Sequence, residues 1–205
     1  MSLFATAYLP PINYIAQIAK CKNATIEQME TFPKQTYRNR SIILTANGLL
    51  PLIVPIIRTN GNHTFTRDIQ ITYAENWNIK HWRAIESAYN SSPYFLYYKD
   101  AIEKILMKPH KYLIDLNEQL LDYILNKLKI DCTIDFSTDY ATPNQDPEDF
   151  RNCFSIKQKY NTNQFPIYDQ VFETKFEFQP NLSILDLLFN MGPDAIEYLS
   201  QLKTL

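Results

Sequence analysis

The chain has 205 residues, and its 20 basic and 22 acidic side chains give a formal charge of −2. It therefore lacks the surplus of basic residues that is typical of nucleic-acid-binding proteins. It contains three glycines, too few and too scattered for the glycine-rich phosphate loops of dinucleotide-binding and P-loop proteins. The length suits one domain, whose core would need no disulfide or structural metal.

Short apolar runs bounded by turn residues predict β-strands. The predicted strands cover residues 3–8, 23–29, 41–44, 49–57, 67–73 and 131–136. Asn47-Gly48 separates the third run from the fourth and favours a type I′ hairpin turn. Pro51 and Pro55 indicate that the fourth run is an edge strand or an irregular one.

Apolar residues at helical spacing predict six helices. They cover residues 12–20, 79–89, 93–107, 113–129, 182–190 and 193–202. The polar residues 140–163 are expected to form a long, partly irregular connection. Strands interleaved with helices predict an α/β fold over residues 1–205, in which one domain packs a mixed β-sheet with helices, a helical middle and C-terminal helices.

The three cysteines are far apart and form no C-x-x-C pair, so we expect reduced thiols and a cytoplasmic protein. The N-terminal residues lack the pattern of a secretory signal, and no run approaches the roughly 20 apolar residues of a membrane span. The three histidines have no short ligand spacing. We therefore predict no metal site and no cofactor.

The densest polar segment is residues 34–40, directly before a predicted strand. Its two guanidinium groups and one ammonium group could hold a phosphate or a carboxylate, since arginine binds such groups through two nitrogens. In an extended segment Arg38 and Arg40 would share one face. The alternative is a solvent-exposed segment whose charges pair with Glu27 or Glu30.

A second polar segment lies at the start of the helix predicted over residues 79–89. A helix N-terminus attracts anions through its free N–H groups and dipole, and Lys80 and Arg83 would add positive charge. His81 could act as a general acid or base near neutral pH. The alternative is a histidine without a chemical role, at the helix surface or half-buried.

Several stretches together resemble the WbqC-like protein family, in the same order and over nearly the whole chain. The matching stretches are Tyr8-Leu-Pro-Pro-Ile-Asn-Tyr14, Phe32-Pro-Lys-Gln-Thr-Tyr-Arg-Asn-Arg40, Thr45-Ala-Asn-Gly48, Lys80-His-Trp-Arg-Ala-Ile-Glu-Ser-Ala-Tyr89, Leu116-Asn117 and Pro180-Asn-Leu-Ser-Ile-Leu-Asp-Leu-Leu-Phe-Asn190. The chain is most similar to the compact members from Bacteroidetes. The family is associated with bacterial surface polysaccharide (O-antigen) gene clusters, and the resemblance implies no particular reaction.

Together these patterns predict binding of an anionic small molecule, a sugar phosphate or a nucleotide sugar, and transferase activity on it. The predicted substrate-binding residues are Lys34, Arg38, Asn39, Arg40, Arg83 and Asn117, and the predicted catalytic residue is His81. The alternative is a non-catalytic binding or scaffold protein for polysaccharide assembly, so the sequence leaves enzyme activity open. A nucleotidyltransferase-like enzyme is disfavoured because the paired histidines of such enzymes are missing. The oligomeric state does not follow from the sequence.

Overall fold

The computed structural model describes residues 2–141, 148–158, 160 and 162–202. Within these ranges six α-helices are present. They are α1 (Ile12–Ile18), α2 (Trp77–Tyr89), α3 (Phe95–Met107), α4 (Leu113–Lys127), α5 (Ile184–Met191) and α6 (Ala195–Gln201). The helical middle and the C-terminal helices expected from the sequence are therefore confirmed.

The described strands form three small sheets. They are β1 (Ser2–Ala5), β2 (Asn23–Glu27), β3 (Arg40–Thr45), β4 (Gly48–Ile53), β5 (Ile56–Ile57), β6 (Gln70–Ile71) and β7 (Thr133–Phe136). The first sheet is parallel with the order β1-β2-β7, whereas β3-β4 and β5-β6 are antiparallel pairs. The α/β class with both kinds of strand pairing is confirmed.

A returning segment extends the parallel sheet beyond β1. The N–H of Leu3 donates to Glu148 O at 3.0 Å, and the N–H of Phe150 donates to Leu3 O at 2.8 Å. Residues 148–150 therefore lie along the free edge of β1, parallel to it. The chain adds β2 and β7 on one side of β1 and then returns to its other side.

The helices are buried along the stripes that the sequence pattern predicts. In α4 the residues Leu113, Leu116, Leu120 and Ile124 are all buried, because their spacing of three or four places them on one face. Helix α5 is buried nearly all round and contacts α1, α3 and α6. The buried apolar side chains, from Phe4 in β1 to Leu199 in α6, form one cluster.

The structure corrects several predicted boundaries. The first strand ends at Ala5, because the chain turns after it and Leu9 adopts a φ of 42°. The run 49–57 is divided between β4 and β5, with the irregular pair Val54-Pro55 between them. Within 67–73 only β6 is strand, and it follows a 3-10 turn at Thr66–Asp68.

The hairpin turn is not of type I′. Thr45 pairs with Gly48, so Ala46 and Asn47 are the central residues, and a type I′ turn would require a positive φ at both. Of Ala46, Asn47 and Gly48, only Gly48 has a positive φ, of 100°. Gly48 therefore follows the two central residues in a backbone conformation that strains residues with a side chain.

The two C-terminal helices and the long polar connection also differ in detail from the prediction. Ser183 caps α5, and its hydroxyl accepts a hydrogen bond from the N–H of Leu185. Helix α6 begins at Ala195, after a short 3-10 turn. Part of the connection predicted over 140–163, including residues 142–147, lies outside the described residues.

Candidate functional site

Polar side chains converge where the parallel strands end, and we call this group the carboxyl-edge cluster. Its members are Thr6 after β1, Glu27 at the end of β2, Arg38 before β3, Asn117 in α4, Ser137 after β7 and Arg151 after the returning segment. All six are buried. In open α/β sheets, ligands bind beyond the carboxyl ends of the strands, at the point where the strand order reverses. Here that point lies between β1 and residues 148–150.

Glu27 is the most enclosed member, with no solvent exposure. Its Oε1 accepts hydrogen bonds from the Ser137 hydroxyl at 2.6 Å and from the N–H of Met29 at 2.8 Å. Its Oε2 accepts from the N–H of Ala141 at 3.1 Å and from Nη1 of Arg151 at 3.3 Å. This carboxylate therefore links β2 to the segments that follow β7 and the returning strand.

Arg151 is held from two sides. Its Nε and Nη2 donate to the two carboxylate oxygens of Asp149 at 2.9 and 2.7 Å, and its Nη1 donates to Ala141 O at 2.7 Å. The hydrogen-bonded carboxylate of Asp149 raises the pKa of Arg151. A guanidinium buried to this extent is stable only with such partners, because an unpaired charge away from water is costly.

Arg38 and Asn117, both predicted from the sequence, are brought together by the fold. Nδ2 of Asn117 donates to the backbone oxygen of Arg38 at 2.8 Å and to the Thr6 hydroxyl at 3.1 Å. The Arg38 guanidinium is paired with Glu30 through two bonds of 2.7 and 2.9 Å. Oδ1 of Asn117 is buried without a hydrogen-bond partner.

The other predicted residues of the 34–40 segment have different surroundings. Asn39 is buried, and its Nδ2 donates to Val54 O at 2.9 Å. Arg40 begins β3 and is partly buried, with an Nε that has no hydrogen-bond partner. Lys34 is exposed. Because β3 starts only at Arg40, the alternation expected for a strand does not extend to Arg38.

His81 lies in an aromatic cluster, and its burial lowers its pKa to about 4. Its Nδ1 is hydrogen-bonded to the Tyr8 hydroxyl at 2.9 Å, and its ring lies 5.0 Å from that of Trp77. The imidazole is therefore neutral at pH 7, which favours a structural role over proton transfer. Arg83 is exposed, whereas His81 is buried, so α2 does not bring these two predicted residues together.

The sequence reasoning missed the acidic half of the cluster. From the sequence, Glu27 and Glu30 were considered only as carboxylates that could pair with the basic residues 34–40. Glu30 does form an ion pair with Arg38. Ser137, Asp149 and Arg151 were not singled out as binding residues. The available signal was positional, because polar residues follow β1, β2 and β7 directly.

Two further features bear on the kind of protein. In the described part of the chain, no group of three or more His, Cys, Asp or Glu side chains is arranged to hold a metal ion. Among the described helices, none combines the length and the apolar character that crossing a membrane requires.

The sequence matches known proteins over nearly its whole length. The model of the WbqC-like protein family matches residues 6–164 and 136–198. A relative from Mycobacterium tuberculosis, named "Uncharacterized protein Rv1507c", is 28% identical over 224 aligned residues, which cover 97% of this chain and 96% of the relative. No solved structure matches. The matched family regions include all six residues of the carboxyl-edge cluster.

Proposed function

Because this chain belongs to the WbqC-like protein family, we propose that it binds a sugar phosphate or a nucleotide sugar and acts as a transferase in bacterial surface polysaccharide (O-antigen) biosynthesis. The main support is the pair of buried arginines, Arg38 and Arg151, near the carboxyl ends of the parallel strands. We further propose that this takes place in the cytoplasm.

Arg38 is the more suitable of the two arginines for the anion. Its partner Glu30 has a side chain that is 13% exposed, against 5% for Arg38, and no second carboxylate pairs with Arg38 among the described residues. Arg151 is held by both Glu27 and Asp149. A phosphate group presents the same two-oxygen geometry as a carboxylate, so it can replace Glu30 on the guanidinium.

Asn117 would orient the substrate in this proposal. Its Oδ1 is the acceptor without a partner in the cluster, and a buried amide oxygen gains stability from a donor such as a sugar hydroxyl. Arg40 would contribute its unpartnered Nε, whereas Lys34 and Arg83 are exposed and would act through longer-range attraction. We assign no proton transfer to His81, because an imidazole with a pKa of about 4 is a weak base.

Calorimetric titration with UDP-glucose and UDP-N-acetylglucosamine tests the binding step. We expect Arg38→Met to weaken binding at least about tenfold, since a charge-assisted double contact is lost. Glu30→Gln should tighten binding instead, because the competing carboxylate is removed while Arg38 stays. Lys127→Met is the control, because Lys127 is an exposed cation in the last turn of α4, where it lies over the ring of Tyr123. Circular dichroism of each variant shows whether the fold is retained.

The opposite pair of results, with unchanged binding in Arg38→Met and weaker binding in Glu30→Gln, would contradict the proposal. Failure of the unaltered protein to bind either nucleotide sugar would also contradict it. Release of free UDP in the presence of an acceptor sugar, followed by anion-exchange chromatography, separates a transferase from a protein that only binds.

The second proposal is a non-catalytic scaffold protein for polysaccharide assembly. The observation that favours it is a pair of exposed apolar side chains on one face of β4, Leu49 and Ile53, whose exposed fractions are 54 and 39%. Clustered exposed apolar groups are common at protein interaction surfaces. Binding of a nucleotide sugar without any release of UDP would favour this alternative.

A further inference from the structure

A cavity lies near the end of the parallel sheet opposite the carboxyl-edge cluster. Its volume is about 720 Å³, within the range of small-molecule sites. It is lined by residues at the C-terminal end of α1, at the beginning of β1 and β2 and in β7, and it shares no residue with the carboxyl-edge cluster.

The strongest indication of a ligand is a buried amide without a partner. Gln17 in α1 lines the cavity and is only 7% exposed, and its Oε1 has no hydrogen-bond partner. Buried amide oxygens in folded proteins are almost always hydrogen-bonded, because leaving one unpaired costs folding free energy. A donor from outside the described chain can pair with this oxygen, and the cavity provides the space for it.

A second polar residue of the lining belongs to the parallel sheet. Thr25 in β2 also lines the cavity and is 3% exposed, and its hydroxyl makes no hydrogen bond to any of the residues that the structure describes. Gln17 and Thr25 therefore present an amide and a hydroxyl to one cavity from two different elements. Neither group is needed to complete a bond within the described structure.

The charges around the cavity identify the class of ligand. Lys20 and Lys22 are balanced by Asp135 and Glu148, so the lining has no net charge and does not favour a nucleotide or another strongly charged molecule. Phe150 is the one aromatic residue of the lining. Apart from the Cys21 thiol, the remaining groups, including Asn23, are amides and hydroxyls, which match a ligand whose own groups both donate and accept hydrogen bonds.

We propose that this cavity binds an uncharged, hydroxyl-rich ligand, that is, a saccharide, through Gln17 and Thr25. Each saccharide hydroxyl can donate to Oε1 of Gln17 and accept from the Thr25 hydroxyl, while Lys22 and Asp135 at the opening bind further hydroxyls. The site is separate from the carboxyl-edge cluster and does not depend on the anion binding proposed there.

Chemical-shift mapping by ¹H–¹⁵N NMR with methyl α-glucoside and N-acetylglucosamine tests this inference. We expect saturable shifts for backbone amides between residues 17 and 25 and around Asp135, and none from inorganic phosphate at the same concentration. Gln17→Leu and Thr25→Val retain the approximate shape of each side chain but remove its hydrogen-bonding groups. Each should weaken saccharide binding at least about tenfold.

A thermal melt separates a ligand-binding role from a structural one. Because Oε1 of Gln17 has no partner within the described structure, Gln17→Leu should leave the melting temperature unchanged or raise it while binding is lost. Thr138→Val, a change of an exposed threonine outside the cavity lining, is the matched control and should alter neither property.

Three results would overturn the inference. They are the absence of saturable shifts up to tens of millimolar saccharide, unchanged affinity in both cavity variants, and a large loss of stability in Gln17→Leu. Arg38→Met should not affect the uncharged saccharides, so a failure of the nucleotide-sugar proposal is recognised separately from a failure of this one.

Discussion

At the scale of single residues, burial decides what an ionisable side chain can do. His81 is 6% exposed and hydrogen-bonded to Tyr8, and its pKa is lowered from 6.5 to about 4 by burial. Its folded form therefore remains neutral at pH values where the unfolded chain already binds a proton. Whenever the unfolded state binds more protons than the folded state, stability rises with pH.

We predict that the free energy of unfolding falls as the pH is lowered from 6.5 towards 4, by about 3 kcal/mol from His81 alone. The measurement is urea unfolding at a series of pH values. His81→Gln keeps a hydrogen-bonding side chain but cannot titrate, so this part of the pH dependence should disappear in it. The pKa of His110 is also lowered by burial, but His110 is present in the unaltered protein and in His81→Gln, so its contribution to the pH dependence cancels in the comparison. An equal pH dependence of the free energy of unfolding in the unaltered protein and in His81→Gln would contradict the prediction.

The Arg38–Glu30 pair shows how far sequence reasoning reaches at this scale. The pattern of charges in residues 34–40 indicated either an anion site or a solvent-exposed segment paired with a nearby carboxylate, and the structure contains the ion pair with Glu30 at 2.7 Å, although Arg38 is buried. The partner was recognisable because it lies eight residues away. The bond between Glu27 and Arg151 joins residues 124 apart, and no local pattern indicates such a contact.

At the scale of elements, the junction between α5 and α6 depends on a glycine. Gly192 has φ 55° and ψ −124°, and a Cβ atom placed there would lie 2.5 Å from the ring of Tyr94. The backbone conformation and the close approach both exclude a larger residue. The sequence places Gly192 between the helices predicted over 182–190 and 193–202, but the contact with Tyr94 depends on how α3 packs against α5.

Gly192→Ala is expected to destabilise the protein by about 2 kcal/mol more than Gly61→Ala, because overpacking against Tyr94 is added to the backbone strain. Gly61 is a suitable control, since its φ is 51° and a Cβ atom placed there would contact nothing within 4 Å. Chemical denaturation of both variants provides the comparison. Adding Tyr94→Ala should recover part of the loss in Gly192→Ala, and equal losses for the two glycines would argue against the contact.

Helices were located more reliably than strands, and the reason is physical. The apolar stripe of α4 extends over 15 residues and determines both its position and its buried face. Strands β5 and β6 have two residues each and pair with one another, and β6 also contacts the residues before α4. Such short pairings depend on distant partners, which the periodicity of one segment does not contain.

At the scale of the whole molecule, the N-terminal loop is tied to the C-terminal helices. The backbone oxygen of Leu9 accepts hydrogen bonds from the hydroxyls of Ser41 at 2.6 Å and Ser183 at 3.2 Å. The N–H of Ile184 donates to Pro10 O at 2.8 Å. Residues 9–10, Ser41 and residues 183–184, which are far apart in the sequence, thus meet at one place in the fold.

We therefore predict that residues 1–205 unfold as a single domain. The fluorescence of Trp77 and Trp82 reports on α2, whereas far-ultraviolet circular dichroism reports on the whole chain. Their urea transitions should coincide in midpoint and slope, as they do for cooperative unfolding. Two separate transitions would contradict the single-domain prediction.

The sequence by itself determined the α/β class, the approximate helix positions and the absence of glycine-rich phosphate loops, because these follow from residue type and short-range periodicity. It also indicated Arg38 and Asn117, which the fold joins by one hydrogen bond of 2.8 Å. Only the tertiary structure decided that Glu27 meets Arg151, that His81 is buried, and that Gln17 and Thr25 line one cavity. These relations depend on which strands become neighbours, and strand order results from packing of the whole chain.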